Sequence, residues 1–349
     1  MKITGVASSF PKNYYSQQDL TRELAAFWGP RLTNPKILER LYKNEGVEGR
    51  HLALPVSAYL ELTTWGKANS AWIECAQELG ESAICRALTR AGITSSDLEA
   101  LFVVSVTGIA SPSLDALLMN RMHLNQNLNR VPIFGLGCVA GAAGIARAAD
   151  YVRAYPSRLA CLLSVELCSL TWQRDDLSMA NLISAGLFGD GAAAVIVAGA
   201  DAGLQGPEIL ATRSVFYPNS EHVMGWDISE KGFRVVLSPE VPLMVEKHLR
   251  HDVDAFLSSN GLTRADIASW ILHPGGPKVL QATAAALELP DDALAISWDC
   301  LRRVGNLSSA SVLLVLEEVM IHQRPSPGTY SLLAAMGPGF CSELVLLRW

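Results

Sequence analysis

The sequence predicts an α/β fold made of two related halves. Two observations carry this. Short apolar runs suited to buried strands alternate with longer stretches suited to helices, the pattern of sheets covered by helices on both faces. A glycine-rich turn entering a strand also occurs twice, as Phe188-Gly-Asp-Gly-Ala-Ala-Ala-Val-Ile-Val197 and as Met336-Gly-Pro-Gly-Phe-Cys-Ser-Glu-Leu-Val345. Each follows a loop of small residues, Gly137-Cys138-Val-Ala-Gly141 in the first case and Gly305-Asn306-Leu-Ser-Ser309 in the second. Such an echo reads as a duplicated α/β unit. Its junction falls near residue 200, so one half spans 1–200 and the other 201–349.

In chain order, strands are expected at Leu101–Val106, Leu159–Val165, Ala192–Val197, Ser269–Leu272, Tyr330–Ala334 and Glu343–Leu347. Helices are expected at Glu81–Ala91, Leu114–Met122, Ala140–Ala154, Val241–Ser258 and Ser309–Met320. The alternation predicts parallel strands. With 349 residues, 50% hydrophobic and 18% charged, the chain buries a substantial core as one large domain or two fused ones.

The net charge of −6 and the absence of a long basic run exclude a nucleic-acid surface, which needs clustered Lys and Arg. Even between Arg40 and Arg50 the bases are diluted by Glu45 and Glu48. The N-terminus lacks a signal peptide's apolar core, and no stretch reaches the length of a membrane span. A cytoplasmic location is therefore expected. The seven cysteines form no C-x-x-C pair and have no His at zinc-ligand spacing, so no metal site is expected.

Chemistry concentrates in Phe134-Gly-Leu-Gly-Cys-Val-Ala-Gly-Ala-Ala-Gly144. The glycines allow a sharp turn and Ala140 begins a helix, which places Cys138 near a helix N-terminus. The macrodipole and free N–H groups there favour a thiolate. A dinucleotide loop fits poorly, because no acid ends a strand about 20 residues on. A nucleophile elbow fits poorly too, since Leu136 and Ala140 stand where it needs glycines. Taken alone, the loop does not separate a nucleophile from a packing cysteine.

His273 follows the apolar run Trp270-Ile-Leu272 and opens His273-Pro-Gly-Gly-Pro277. That presents an imidazole at a strand end, where α/β sites form. Asn306, in Val304-Gly-Asn-Leu-Ser-Ser-Ala310, carries an amide that can donate to a developing oxyanion; Asn in such a loop is more often a turn residue. The ordered set Cys138, His273 and Asn306 is more specific than any one member.

With these residues in place, the chain resembles the type III polyketide synthases, the chalcone synthase-like enzymes. The resemblance is carried by Gly-Cys-x-x-Gly, Leu-Phe-Gly-Asp-Gly-Ala-Ala, Trp-Ile-x-His-Pro-Gly-Gly-Pro, Gly-Asn-x-Ser-Ser-Ala and a C-terminal Gly-Pro-Gly, in order from about Gly46 to the C-terminus. It implies a thiolase-like, five-layered αβαβα subunit, a homodimer, and acyl-CoA and malonyl-CoA as substrates with no further cofactor. By the same resemblance Cys138 takes the starter acyl group, His273 keeps it a thiolate, and His273 with Asn306 stabilises the enolate left when malonyl-CoA loses carbon dioxide.

The resemblance also makes Phe188 a gatekeeper between CoA tunnel and cavity, and puts Thr107, Cys168, Thr171 and Ser184 at or near the cavity lining. Arg50, Lys278, Gly275 and Gly276 fall where CoA is contacted. Segments such as Thr107-Gly-Ile-Ala-Ser-Pro-Ser-Leu-Asp115 look closest to bacterial alkylpyrone and alkylresorcinol synthases, which implies a long-chain acyl starter closing to a pyrone or resorcinol. Trp172 beside this set is bulky enough to block such a cavity. The alternative is a ketoacyl synthase III-like single condensation or acyl transfer.

Overall fold

The computed structural model describes residues 1–349 except Pro35. Nine strands form the main sheet: β1 (Lys2–Ser9), β2 (Ala100–Ser105), β3 (Asn129–Phe134), β4 (Leu159–Leu167), β5 (Asp190–Ala198), β6 (Glu208–Phe216), β7 (Ile267–Leu272), β8 (Tyr330–Gly337) and β9 (Cys341–Arg348). Their order is β7-β8-β9-β6-β1-β5-β4-β2-β3. All six expected strands are present. The sequence pattern missed β1, β3 and β6.

The strands are not all parallel, which corrects the expectation. Only the β7/β8, β2/β3 and β2/β4 pairs run parallel; β8/β9, β9/β6, β1/β5 and β5/β4 are antiparallel. The reason is local. β8 and β9 are joined by the tight Pro338–Phe340 turn, with Gly337 opposite Cys341, and a hairpin can only join antiparallel strands. The pairing β6-β9-β8-β7 repeats the pairing β1-β5-β4-β2 in both order and direction, and a single bridge, Lys2 to Glu208, links the two sets.

Alternating residues of each strand face opposite layers. Phe102, Leu162, Val195, Ile271, Leu333 and Val345 point inward onto the Ala140–Ala154 and Ser311–His322 helices. Leu101, Leu163 and Ile196 point outward under the Trp65–Ala91 and Leu114–Arg121 helices. Trp270, Leu332 and Leu346 point outward under Val241–Ser258 and Pro277–Leu287. The result is five layers, helix–sheet–helix–sheet–helix. The two middle helices touch each other and both strand sets, which requires small residues. A Cβ on Gly141 would run into the Ser309 carbonyl, and one on Gly144 into Leu162.

The Ala140–Ala154 and Val241–Ser258 helices have the expected bounds. The expected Glu81–Ala91 helix is the end of a longer one, Trp65–Ala91, capped by the Thr64 hydroxyl and closed by left-handed Gly92. The helix expected from Ser309 begins at Ser311, after a tight turn over Ser308–Ala310. Among the described residues no helix is long and apolar enough to cross a membrane.

Candidate active site

Cys138 sits in the tight turn Gly137–Val139, directly ahead of the Ala140–Ala154 helix. The turn is wedged against the other half of the chain. Gly137 has φ +55, and a Cβ there would lie 2.7 Å from Pro338; a Cβ on Gly337 would lie 2.7 Å from the Val139 nitrogen. The Gly-Pro-Gly turn of the second half thus backs the cysteine loop of the first. Cys138 is 5% exposed, and its Sγ lies 3.6 Å from Ser308 Oγ.

His273 continues the line of β7, its N–H bonding the Ala334 carbonyl of β8 at 3.0 Å. The side chain is buried and neither ring nitrogen has a hydrogen-bond partner in the protein. Leaving such a group unpaired costs about 1–3 kcal/mol, so the ring is poised for a ligand.

Asn306 is anchored on three sides. Its N–H bonds the Leu187 carbonyl and its carbonyl accepts from Gly189 N–H, both at 2.9 Å. Its Oδ1 accepts from Ser308 N–H at 2.7 Å and Ser311 Oγ at 3.3 Å. That fixes the amide so that Nδ2 faces the Gly275 carbonyl at 3.1 Å, with a second N–H to offer. Ser308 itself has φ +49, a strained value for a residue with a side chain.

Cys138, His273 and Asn306 line one cavity of about 580 Å³, together with Phe188, Gly275, Gly276 and Lys278. Lys278 is exposed. A second, much smaller chamber of about 50 Å³ is lined by Cys138, Thr107, Cys168, Thr171, Trp172, Ser184, Trp226 and Phe188. Phe188 and Cys138 border both spaces. The structure therefore brings together every expected site residue but one.

The exception is Arg50, which lines neither space. It is fully buried, with Nη1 donating to the Ala185 and Phe188 carbonyls, each at 2.7 Å, and Nε to Gln17 Oε1 at 3.2 Å. The guanidinium presents no face to solvent in this structure.

Sequence reading missed several groups. Glu166 is buried behind Cys138 and accepts hydrogen bonds from Ser309 Oγ, Thr107 Oγ1 and Val106 N–H. Burial pushes its carboxyl up to about 7. One acid inside the apolar run Leu159–Leu167 was a usable signal, because a buried charge needs partners. Met224, Trp226, Val235 and Leu237, from the Met224–Ser229 and Gly232–Leu237 hairpin, wall the small chamber; no pattern in the sequence marked them.

Burial is the main cause pushing the Cys138 thiol up to about 12 and the His273 imidazole down to about 4. A lone thiolate or a lone imidazolium is disfavoured here. Both groups border the same cavity, and a proton passed from Sγ to the imidazole would leave two opposite charges there rather than one.

Two family descriptions match the chain. "Chalcone and stilbene synthases, N-terminal domain" covers residues 51–202 and the corresponding C-terminal domain covers 208–349. The 1,3,6,8-tetrahydroxynaphthalene synthase of Streptomyces peucetius subsp. caesius is 51% identical over 350 residues, 99% of this chain and 93% of that protein. A putative chalcone synthase of Bacillus subtilis (strain 168) is 36% identical, covering 99% and 98%. The crystal structure of tetrahydroxynaphthalene synthase from Streptomyces coelicolor A3(2), a bacterial type III polyketide synthase, matches with TM-score 0.95 at 32% identity, covering 100% of this chain and 99% of that one.

Proposed function

The chain belongs to the chalcone and stilbene synthase family and is a type III polyketide synthase acting on acyl-CoA and malonyl-CoA; from that premise we propose that malonyl-CoA is both its starter and its extender, and that the product is a tetrahydroxynaphthalene. The observation that carries the chemistry is the convergence of Cys138, His273 and Asn306 on one cavity bordered by Phe188. The family uses CoA thioesters and no separate cofactor.

In this reading Cys138 Sγ attacks the starter thioester and the CoA thiol leaves with the proton. A second malonyl-CoA loses carbon dioxide, and its enolate oxygen is held by the imidazole and Asn306 Nδ2–H. The carbanion then attacks the acyl-Cys138 thioester, which breaks the C–S bond, frees the thiolate and lengthens the chain by two carbons. Ten skeletal carbons need five malonyl units, which release five carbon dioxide, five CoA and one water. The nucleophile belongs to the half 1–200, and His273 and Asn306 to the half 201–349. A cytoplasmic homodimer, with Lys278, Gly275 and Gly276 contacting CoA, is part of the same proposal.

Two observations favour malonyl over the long-chain starter expected from sequence. The relative of highest identity quoted above is named for tetrahydroxynaphthalene. The chamber beyond Phe188, at about 50 Å³ and walled by Trp172 and Trp226, has room for only a few water-sized groups. A ladder of acyl-CoA starters with malonyl-CoA tests this. Wild type is expected to make the same product with or without acyl-CoA, and Trp226→Gly to gain acyl-primed products. Efficient long-chain priming by wild type would restore the alkylpyrone reading; one extension without cyclisation would favour a ketoacyl synthase III-like enzyme.

Burial raises the Cys138 pKa, and His273→Gln removes the counter-charge that offsets this. Alkylation of Cys138 by iodoacetamide, followed by peptide mass spectrometry, is expected to need a more alkaline pH in the variant than in wild type. Superimposable pH profiles would show that His273 does not sustain the thiolate.

A further inference from the structure

Arg50 lies outside the reacting groups, yet its bonds reach both Phe188 and the segment that holds Asn306. Its Nη1 donates to the carbonyls of Ala185 and Phe188, and Gln17, which accepts from its Nε, donates from Nε2 to the Gly186 carbonyl at 2.8 Å. Three carbonyls at the C-terminal end of the Met179–Leu187 helix are thus met by one cation and its partner, at the end where the helix leaves carbonyls unpaired and the dipole favours positive charge.

The opposite side of the same segment is clasped by Asn306, through Leu187 carbonyl and Gly189 N–H. Gly305, at φ +72, lets the strands close: a Cβ there would lie 2.6 Å from the Leu187 carbonyl and 3.0 Å from Arg50 Cδ. Glu45 and Asp190 lie beside the guanidinium; burial pushes both carboxyls up, Asp190 to about 6, and Arg50 offsets part of that cost. Leu187–Gly189 is therefore held between Arg50 and Asn306, and Phe188 cannot shift without moving one of them.

We propose that Arg50 is a positioning residue that sets Phe188 and Asn306 as one unit, so that its loss impairs malonyl-CoA decarboxylation while leaving Cys138 loading intact. The proposal rests on the functional reading above. Lysine keeps the charge but has one nitrogen where Arg50 uses two, Nη1 for the Ala185 and Phe188 carbonyls and Nε for Gln17, so Arg50→Lys is the main variant. Gln17→Ala, which leaves Arg50 in place but removes its side-chain partner, is the second.

Both variants are measured as full-length enzyme, for carbon dioxide release from malonyl-CoA, for KM, for extent of Cys138 acylation by intact mass, and for thermal midpoint. In Arg50→Lys, decarboxylation kcat is expected to fall by about tenfold or more, with KM changed by less than about twofold, as for a misplaced catalytic group. Loading is expected to stay at the wild-type extent, and Gln17→Ala to show a smaller loss of the same kind. Three results would overturn the proposal: unchanged decarboxylation, a rise in KM that grows with salt, or equal losses of loading and decarboxylation that track the folded fraction. If wild type decarboxylates and Arg50→Lys matches it, only the positioning role fails. If wild type does not decarboxylate malonyl-CoA, the functional reading fails and the positioning role with it.

Discussion

Cys138→Ala is expected to abolish acylation of the enzyme and all product formation. Cys138 is the only cysteine bordering both the large cavity and the small chamber among the residues lining them, and its loop is pinned from both halves of the chain by Gly137, Pro338 and Ser308. Neighbouring Cys168 borders only the small chamber, and burial holds its thiol well above the usual range, so it does not substitute. The Sγ contact with Ser308 is long, at 3.6 Å, so the variant is expected to fold normally. Intact mass after incubation with acyl-CoA reads the result directly. A mass increment equal to that of wild type would remove Cys138 from the mechanism.

Asn306→Ala is expected to load Cys138 normally and to lose malonyl-CoA decarboxylation. The fixed amide offers one N–H to the cavity, and removing one oxyanion donor costs about a hundred- to a thousandfold in rate. The variant also strips the acceptor from Ser308 N–H, and an unpaired buried N–H costs about 1–3 kcal/mol of stability. The thermal midpoint is therefore expected to fall, and rates must be compared where the variant is fully folded. Undiminished carbon dioxide release would show that the amide only shapes the loop.

The proposed catalytic set was legible because each member sits on a local device. Cys138 follows a glycine turn into a helix, His273 ends an apolar strand, and Asn306 lies in a glycine turn; all three patterns span a few residues. The Ala140–Ala154 helix was legible because its run of small residues is continuous. The burial of Arg50 was not legible, for the opposite reason. A charged residue in Gly46-Val-Glu-Gly-Arg50 looks solvated, and its burial depends on carbonyls 135 and 138 residues away. β1 escaped notice because Gly5 interrupts it; a Cβ there would strike the Ala87 carbonyl. The starter was illegible because chamber size is set jointly by Trp172 and Trp226, which come from separate segments and meet only in the fold.

On this account one cysteine site repeatedly condenses malonyl units supplied by malonyl-CoA alone. The most direct test is the mass spectrum of the product formed from uniformly ¹³C-labelled malonyl-CoA in the presence of unlabelled acyl-CoA of several lengths. A tetrahydroxynaphthalene with all ten skeletal carbons labelled is predicted. A product carrying an unlabelled starter, or one labelled only in a single two-carbon unit, would contradict it.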